Sequence, residues 1–187
     1  MVNVKQIEDL VHSKFIIAGQ AHVDARTGVV DVTGTVEAKE DSLTHIPVQF
    51  GRVMDFNLRR QPRLTSLVGS PVHVSGEYKV KSNAITDCEG APVHVGAHCW
   101  ISGANLISLA HLPMQGARSF TILWTPKLPL LRLLDARQVQ WGNYVGYAEQ
   151  VQTVREIMNK YVGKGKTHML NCALELKKAG FVENAKW

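Results

Sequence analysis

The sequence lacks what would announce a membrane protein, a metal centre or a familiar catalyst. None of its 187 residues belongs to an apolar run of 18, so no transmembrane helix is expected. The opening Met-Val-Asn-Val-Lys-Gln-Ile-Glu-Asp has no apolar signal-peptide core, which makes the cytoplasm the expected location. Cysteine is scarce: Cys88, Cys99 and Cys172 are odd in number and form no Cys-x-x-Cys pair or Cys/His cluster. They read as small buried hydrophobes, and no zinc site is expected. Neither a Ser/His/Asp arrangement nor a carboxylate pair is placed by motif. Gly163-Lys-Gly-Lys166 supplies only the end of a phosphate-binding loop and follows a helical stretch rather than a strand, so it reads as a helix–helix turn. The expectation is a non-enzymatic protein without a cofactor.

What the sequence does have is repetition. Leu43, Leu64, Ile85 and Leu106 are each 21 residues apart, and so are Ile46, Leu67, Cys88 and Leu109. Pro71, Pro92 and Pro113 keep the same step, as do Tyr78, Cys99 and Phe120, and Val80, Ile101 and Ile122. A period in the low twenties marks a solenoid with a short strand and a turn in each coil. At 45% hydrophobic and 20% charged, the chain can bury a sizeable core. Its net charge of +5 permits an acidic partner without requiring one.

The flanks read as caps, and the whole as an α+β unit. Val4, Ile7, Leu10 and Val11 share one face of a helix over residues 3–13. Phe15 to Val23 and Val29 to Val36 read as strands joined at Arg26-Thr-Gly28, a hairpin leading into the solenoid. The unit divides into an N-terminal helix and hairpin cap (1–42), a leucine-rich-repeat-like solenoid (43–134) and a C-terminal helical cap (135–187). Coils of about 21 residues stack one parallel sheet. Val72 and Val74 are expected to start a second inward row. Asn83 stands at a corner where its amide can bond neighbouring coils. That ladder is expected to be short, because Ala104 takes the next register position and Gln61 stands in the first coil. Residues 128–134 suggest a last coil, and Trp141, Tyr144 and Tyr147 an aromatic group. Val151, Val154, Ile157 and Met158 form a helical stripe, Thr167 is placed to cap the next helix, and Gly180 to end it.

The coils resemble a known class. Leu64-Thr-Ser-Leu-x-Gly-Ser-Pro71, Val74-x-Gly-x-Tyr-x-Val-x-x-Asn83 and the run from Ile85 are similar to the short leucine-rich-repeat-like proteins of tailed bacteriophages. So are Thr27-Gly-Val-Val-Asp-Val-Thr-Gly-Thr-Val36, Ile46-Pro-Val-Gln-Phe-Gly-Arg-Val53 and the tail from Ile157. Cys88 departs from that pattern in place of a leucine, and Ala104 in place of an asparagine. The resemblance implies a solenoid and a viral origin. It implies little about activity, since the family is largely without an assigned function.

The candidate functional surface follows from strand alternation. If Tyr78, Val80, Cys99, Ile101, Phe120 and Ile122 point inward, their neighbours point outward. Asn57, Lys79, Trp100 and Thr121 then form one exposed column, and Arg59, Lys81, Ser102 and Leu123 a second. A third holds Asp55, Glu77, His98 and Ser119. Trp100 and Leu123 are large apolar groups at expected surface positions, and Trp and Arg are common interface anchors. The leading expectation is a protein-interaction module, a viral accessory factor in the host cytoplasm that binds a host or viral protein through this face. The alternative is nucleic-acid binding through Arg59, Arg60 and Arg63 and through Lys164, Lys166, Lys177 and Lys178. A third possibility is a structural component of the virion. His73 and His94, one period apart, are explained by repeat position alone.

Overall fold

The computed structural model describes residues 2–143 and 146–187, so Tyr144 of the expected aromatic group lies outside the described residues. The expected first helix is α1 (Val4–Lys14), started by Asn3, whose Oδ1 accepts the Gln6 amide at 3.1 Å. The hairpin follows, folded in two. Strand β1 (Phe15–Ala18) pairs antiparallel with β4 (Thr35–Ala38), while β2 (Ala21–Val23) pairs antiparallel with β3 (Val30–Val32) in a separate sheet. The break falls where Gly34 crosses the other arm. A Cβ there would lie 1.8 Å from the Ala18 carbonyl oxygen, so only glycine allows the crossing.

From β4 onward the chain winds into a solenoid. Strands β6 (Asp55–Leu58), β8 (Tyr78–Lys81), β10 (His98–Ser102), β11 (Ser119–Trp124) and β12 (Val139–Asn143) stack parallel. With β1 and β4 they make a seven-stranded sheet in the order β1-β4-β6-β8-β10-β11-β12. The register aligns Phe56, Tyr78, Cys99, Phe120 and Val139. The parallel ladder thus runs past both ends of the repeated stretch. A second, narrower parallel ladder joins β5 (Arg52–Val53), β7 (His73–Val74) and β9 (His94–Val95).

The repeated apolar columns fill the space between the two ladders. Leu64, Leu67, Ile85, Cys88, Leu106 and Leu109 are buried, as are Tyr78, Cys99 and Phe120. Aromatic rings run through the early coils: Phe15 meets Phe50 edge-on at 5.2 Å, Phe50 meets Phe56 at 5.4 Å, and Phe56 stacks on Tyr78 at 5.7 Å. Such pairs add to what area burial alone gives. The Tyr78 hydroxyl, sealed in this core, is 2.9 Å from Ser70 Oγ, so the buried phenol is not left unpaired. Val74 points inward as expected, but Val72 does not: it is 52% exposed, and Val93 one coil on is 63% exposed. Strand β7 begins only at His73. Val72 precedes it in a corner, where two-residue alternation does not hold.

Side-chain amides tie the coils together at the other corner. Asn83 Oδ1 accepts the Ala104 amide at 3.1 Å, and Asn105 Nδ2 donates to the Asn83 carbonyl at 2.8 Å. In the first coil a buried glutamine takes over. Gln61 Oε1 accepts the Leu43 amide at 2.9 Å and its Nε2 donates to the Glu40 carbonyl at 2.7 Å.

The far end is closed by a leucine-rich turn and two helices. Leu128, Leu130, Leu131, Leu133 and Leu134 are all buried. Helix α2 (Ala148–Asn159) buries Val151, Val154, Ile157 and Met158. Helix α3 (Met169–Lys178) buries Cys172 and Leu176. Thr167 does not cap α3: its hydroxyl donates to the Lys164 carbonyl at 3.3 Å, within a short 3-10 turn (Lys166–His168) that delays the helix start. The end of the chain returns to the last coil. Buried Asn184 donates from Nδ2 to the carbonyls of Thr125 and Leu128 at 3.0 and 2.7 Å. No helix among the described residues is long and apolar enough to cross a membrane.

Candidate binding face

Parallel register carries the outward residues of the main sheet into rows. Glu37, Asn57, Lys79, Trp100, Thr121 and Gln140 lie side by side, each the partner of the next. Most of this row is already engaged. Asn57 Nδ2 donates to Glu37 Oε1 at 3.2 Å, and Arg59 Nε donates to Asn57 Oδ1 at 3.1 Å. Lys79 is paired with Glu77, and that bond holds the Glu77 carboxyl below its ordinary pKa.

Trp100 is half-buried rather than open to solvent. Its Nε1 donates to Ser102 Oγ at 3.0 Å. Ser102, expected on the exposed face, is fully buried. It points the same way as Trp100, two residues earlier, and lies under the indole. It therefore drops out of the candidate contact set. Leu123 is also only half-exposed, and a Cβ at Gly142 would lie 2.4 Å from its Cδ2, so Leu123 folds down over that glycine.

Around Trp100 the face hollows into a groove of about 610 Å³. Trp100, Asn57, Arg59 and Lys81 line it, joined by Arg60 and Ile16. Ile16 sits on β1, opposite in face to buried Phe15, and is 52% exposed. Lys39, Glu37 and Asp41 complete the rim. The structure thus brings together four of the expected contact residues: Asn57, Arg59, Lys81 and Trp100. Lys79, Thr121 and Leu123 do not line the groove. Arg60 belonged to the basic group visible in the sequence. Ile16 and Lys39 were missed, although the alternation Phe15-Ile16 already turned Ile16 outward.

A second cluster lies on the same face. His98 Nδ1 is 2.7 Å from Ser119 Oγ, and His98 Nε2 is 3.0 Å from Thr121 Oγ1. Burial holds the imidazole below its ordinary pKa, against the pull of the Glu77 carboxylate. With both ring nitrogens taken by hydroxyls, the ring cross-links two strands. Cys99 faces the core, where burial raises its thiol well above the usual range, so it forms no nucleophile–base pair with His98. On the narrow ladder His73 and His94 stack, with centroids 4.4 Å apart. Among the described residues no three His, Cys, Asp or Glu side chains gather as metal ligands.

Comparisons with protein-family models, curated proteins and solved structures find no match to this chain.

Proposed function

We propose that this chain is a non-enzymatic protein-interaction module that grips a partner in the Trp100 groove. One observation carries the proposal: a large ring, half-buried and held in place by Ser102, lies at a concave site with an exposed isoleucine and several basic side chains. A fixed aromatic anchor ringed by polar groups is the usual make-up of an interface hot spot. Among the described residues no ion pair is made by Arg59, Arg60 or Lys81, so a partner bearing carboxylates gains ion pairs without breaking any. The phage resemblance points to a host or viral protein as that partner, and to the host cytoplasm as the place of encounter. Affinity capture from infected-host lysate, followed by titration of the purified partner, tests this. Trp100→Ala with Lys81→Glu should weaken binding about 30-fold, the scale of a single hot spot. Unchanged affinity overturns the assignment of the face.

The excess of Lys39, Arg59, Arg60 and Lys81 over Glu37 and Asp41 in the same groove favours a second reading. There Trp100 stacks on a base of a single-stranded nucleic acid while the cations follow its phosphates. Its signature is affinity for an oligonucleotide that falls steeply as salt rises. No retention on heparin at low salt removes it.

A further inference from the structure

The sheet ends at β12, and among the described residues no strand pairs with its far side, although α2 packs against it. Five consecutive residues of this strand and its approach, 137–141, line a groove of about 480 Å³. Side chains of a strand alternate between faces, so a groove touched by five in a row runs along the strand's edge and not over one face. Its other wall is α2 and the turn after it, through Arg155, Asn159 and Val162. Those three are spaced as one stripe of a helix. Trp141 Nε1 donates to Asn159 Oδ1 at 3.2 Å, which fixes the separation of strand and helix.

Among the described residues the backbone along this edge has no partner strand. The Phe120 amide donates to the Gln138 carbonyl at 3.0 Å, and Phe120 is paired in register with Val139. In a parallel ladder, Gln138 and Gln140 therefore turn their backbone groups toward β11, while Val139 and Trp141 turn theirs to the open side. Among the described residues nothing bonds those outward groups. Two cations, Arg137 and Arg155, stand on opposite walls. Both are exposed, and among the described residues no acidic side chain lines the groove.

We propose that this edge receives an extended peptide as an added strand, with a carboxylate of that peptide between Arg137 and Arg155. Strand addition draws affinity from main-chain bonds and specificity from the alternate side chains. The arginine pair selects for acid, since guanidinium–carboxylate bonds are the strong ones. About five residues, or roughly 16 Å of extended chain, fit along the lined stretch. The carboxylate comes from a peptide C-terminus or from an Asp or Glu side chain. This site is separate from the Trp100 groove and does not depend on it.

The test is a random heptapeptide pool with free C-termini, screened on the full chain alongside the same pool amidated. The expected result is enrichment of alternating, β-branched peptides carrying acid. Their affinity should fall about tenfold or more with Arg137→Glu plus Arg155→Glu and stay unchanged with Trp100→Ala. Bound peptide should slow amide exchange at Val139 and Trp141. Loss of binding on amidation assigns the carboxylate to the terminus, and retention assigns it to a side chain. The proposal is overturned if no peptide is enriched, if the double variant binds equally well, or if those two amides stay unprotected. It is also overturned if sedimentation shows that the edge is filled by a second copy of the chain.

Discussion

The imidazole of His98 joins β10 to β11 by touching Ser119 and Thr121. Its folded-state pKa lies below the ordinary 6.5 because burial disfavours the cation. The sign of the pH effect follows. Between the lowered value and 6.5 the unfolded chain binds the proton and the folded chain does not, so stability rises with pH across that window. The contribution is complete above 6.5 and is lost as pH falls below it. The urea midpoint should therefore drop between about pH 7.5 and about pH 5.5, and drop less in His98→Gln. Equal slopes in the two proteins would show that the ring is not held neutral. At this scale the sequence was partly legible. Strand alternation put Trp100 and Ser102 on one face, correctly. It gave no sign that the larger side chain lies down over the smaller, which depends on the indole finding a hydroxyl acceptor two residues away.

Between coils, backbone lies close against backbone. A Cβ at Gly96 would lie 2.0 Å from the Ser75 carbonyl oxygen of the coil before. Gly96→Ala forces two coils apart, and the expected cost is about 3 kcal/mol, the upper range for overpacking. Urea denaturation measures it; a loss below about 0.5 kcal/mol, the scale of a neutral surface change, would mean the coils are not in this register. The coils themselves were readable because leucines, prolines and strand residues each recur at 21. Strand β12 was not. Phe120 to Val139 is only 19 residues, so the last rung falls out of the period, and Val-Gln-Trp-Gly-Asn carries no clean alternation. The hairpin was visible as a pair of strands, but its division between two sheets turns on Gly34 passing Ala18, a contact no local pattern records. The exposed Val72 is a similar case: apolar type suggested burial, and a corner one residue before the strand decided otherwise.

Taken whole, the molecule is a stack in which each coil leans mainly on the coils beside it, so stability is close to a sum of nearest-neighbour contacts. The C-terminal tail is an exception to that local economy. Asn184 bonds Thr125 and Leu128, 59 and 56 residues earlier, and the Leu131 amide bonds the Lys186 carbonyl at 3.0 Å. Removing residues 181–187 leaves the Leu128 carbonyl without a donor and the Leu130 and Leu131 amides without acceptors, at about 1–3 kcal/mol each. Hydrogen exchange should then quicken across 125–135 and in α3, while strands β4 to β8 keep their protection. Uniform loosening along the chain would show that the stack melts as one unit.

Asn184 also sets an order in time. A chain growing on the ribosome can lay down its early turns as they emerge, since each has its neighbour already made. The turn at Thr125 cannot be locked in the same way, because the side-chain amide that fastens it is synthesised 59 residues later. Until Asn184 has been made, the leucines of residues 128–134 wait unsealed.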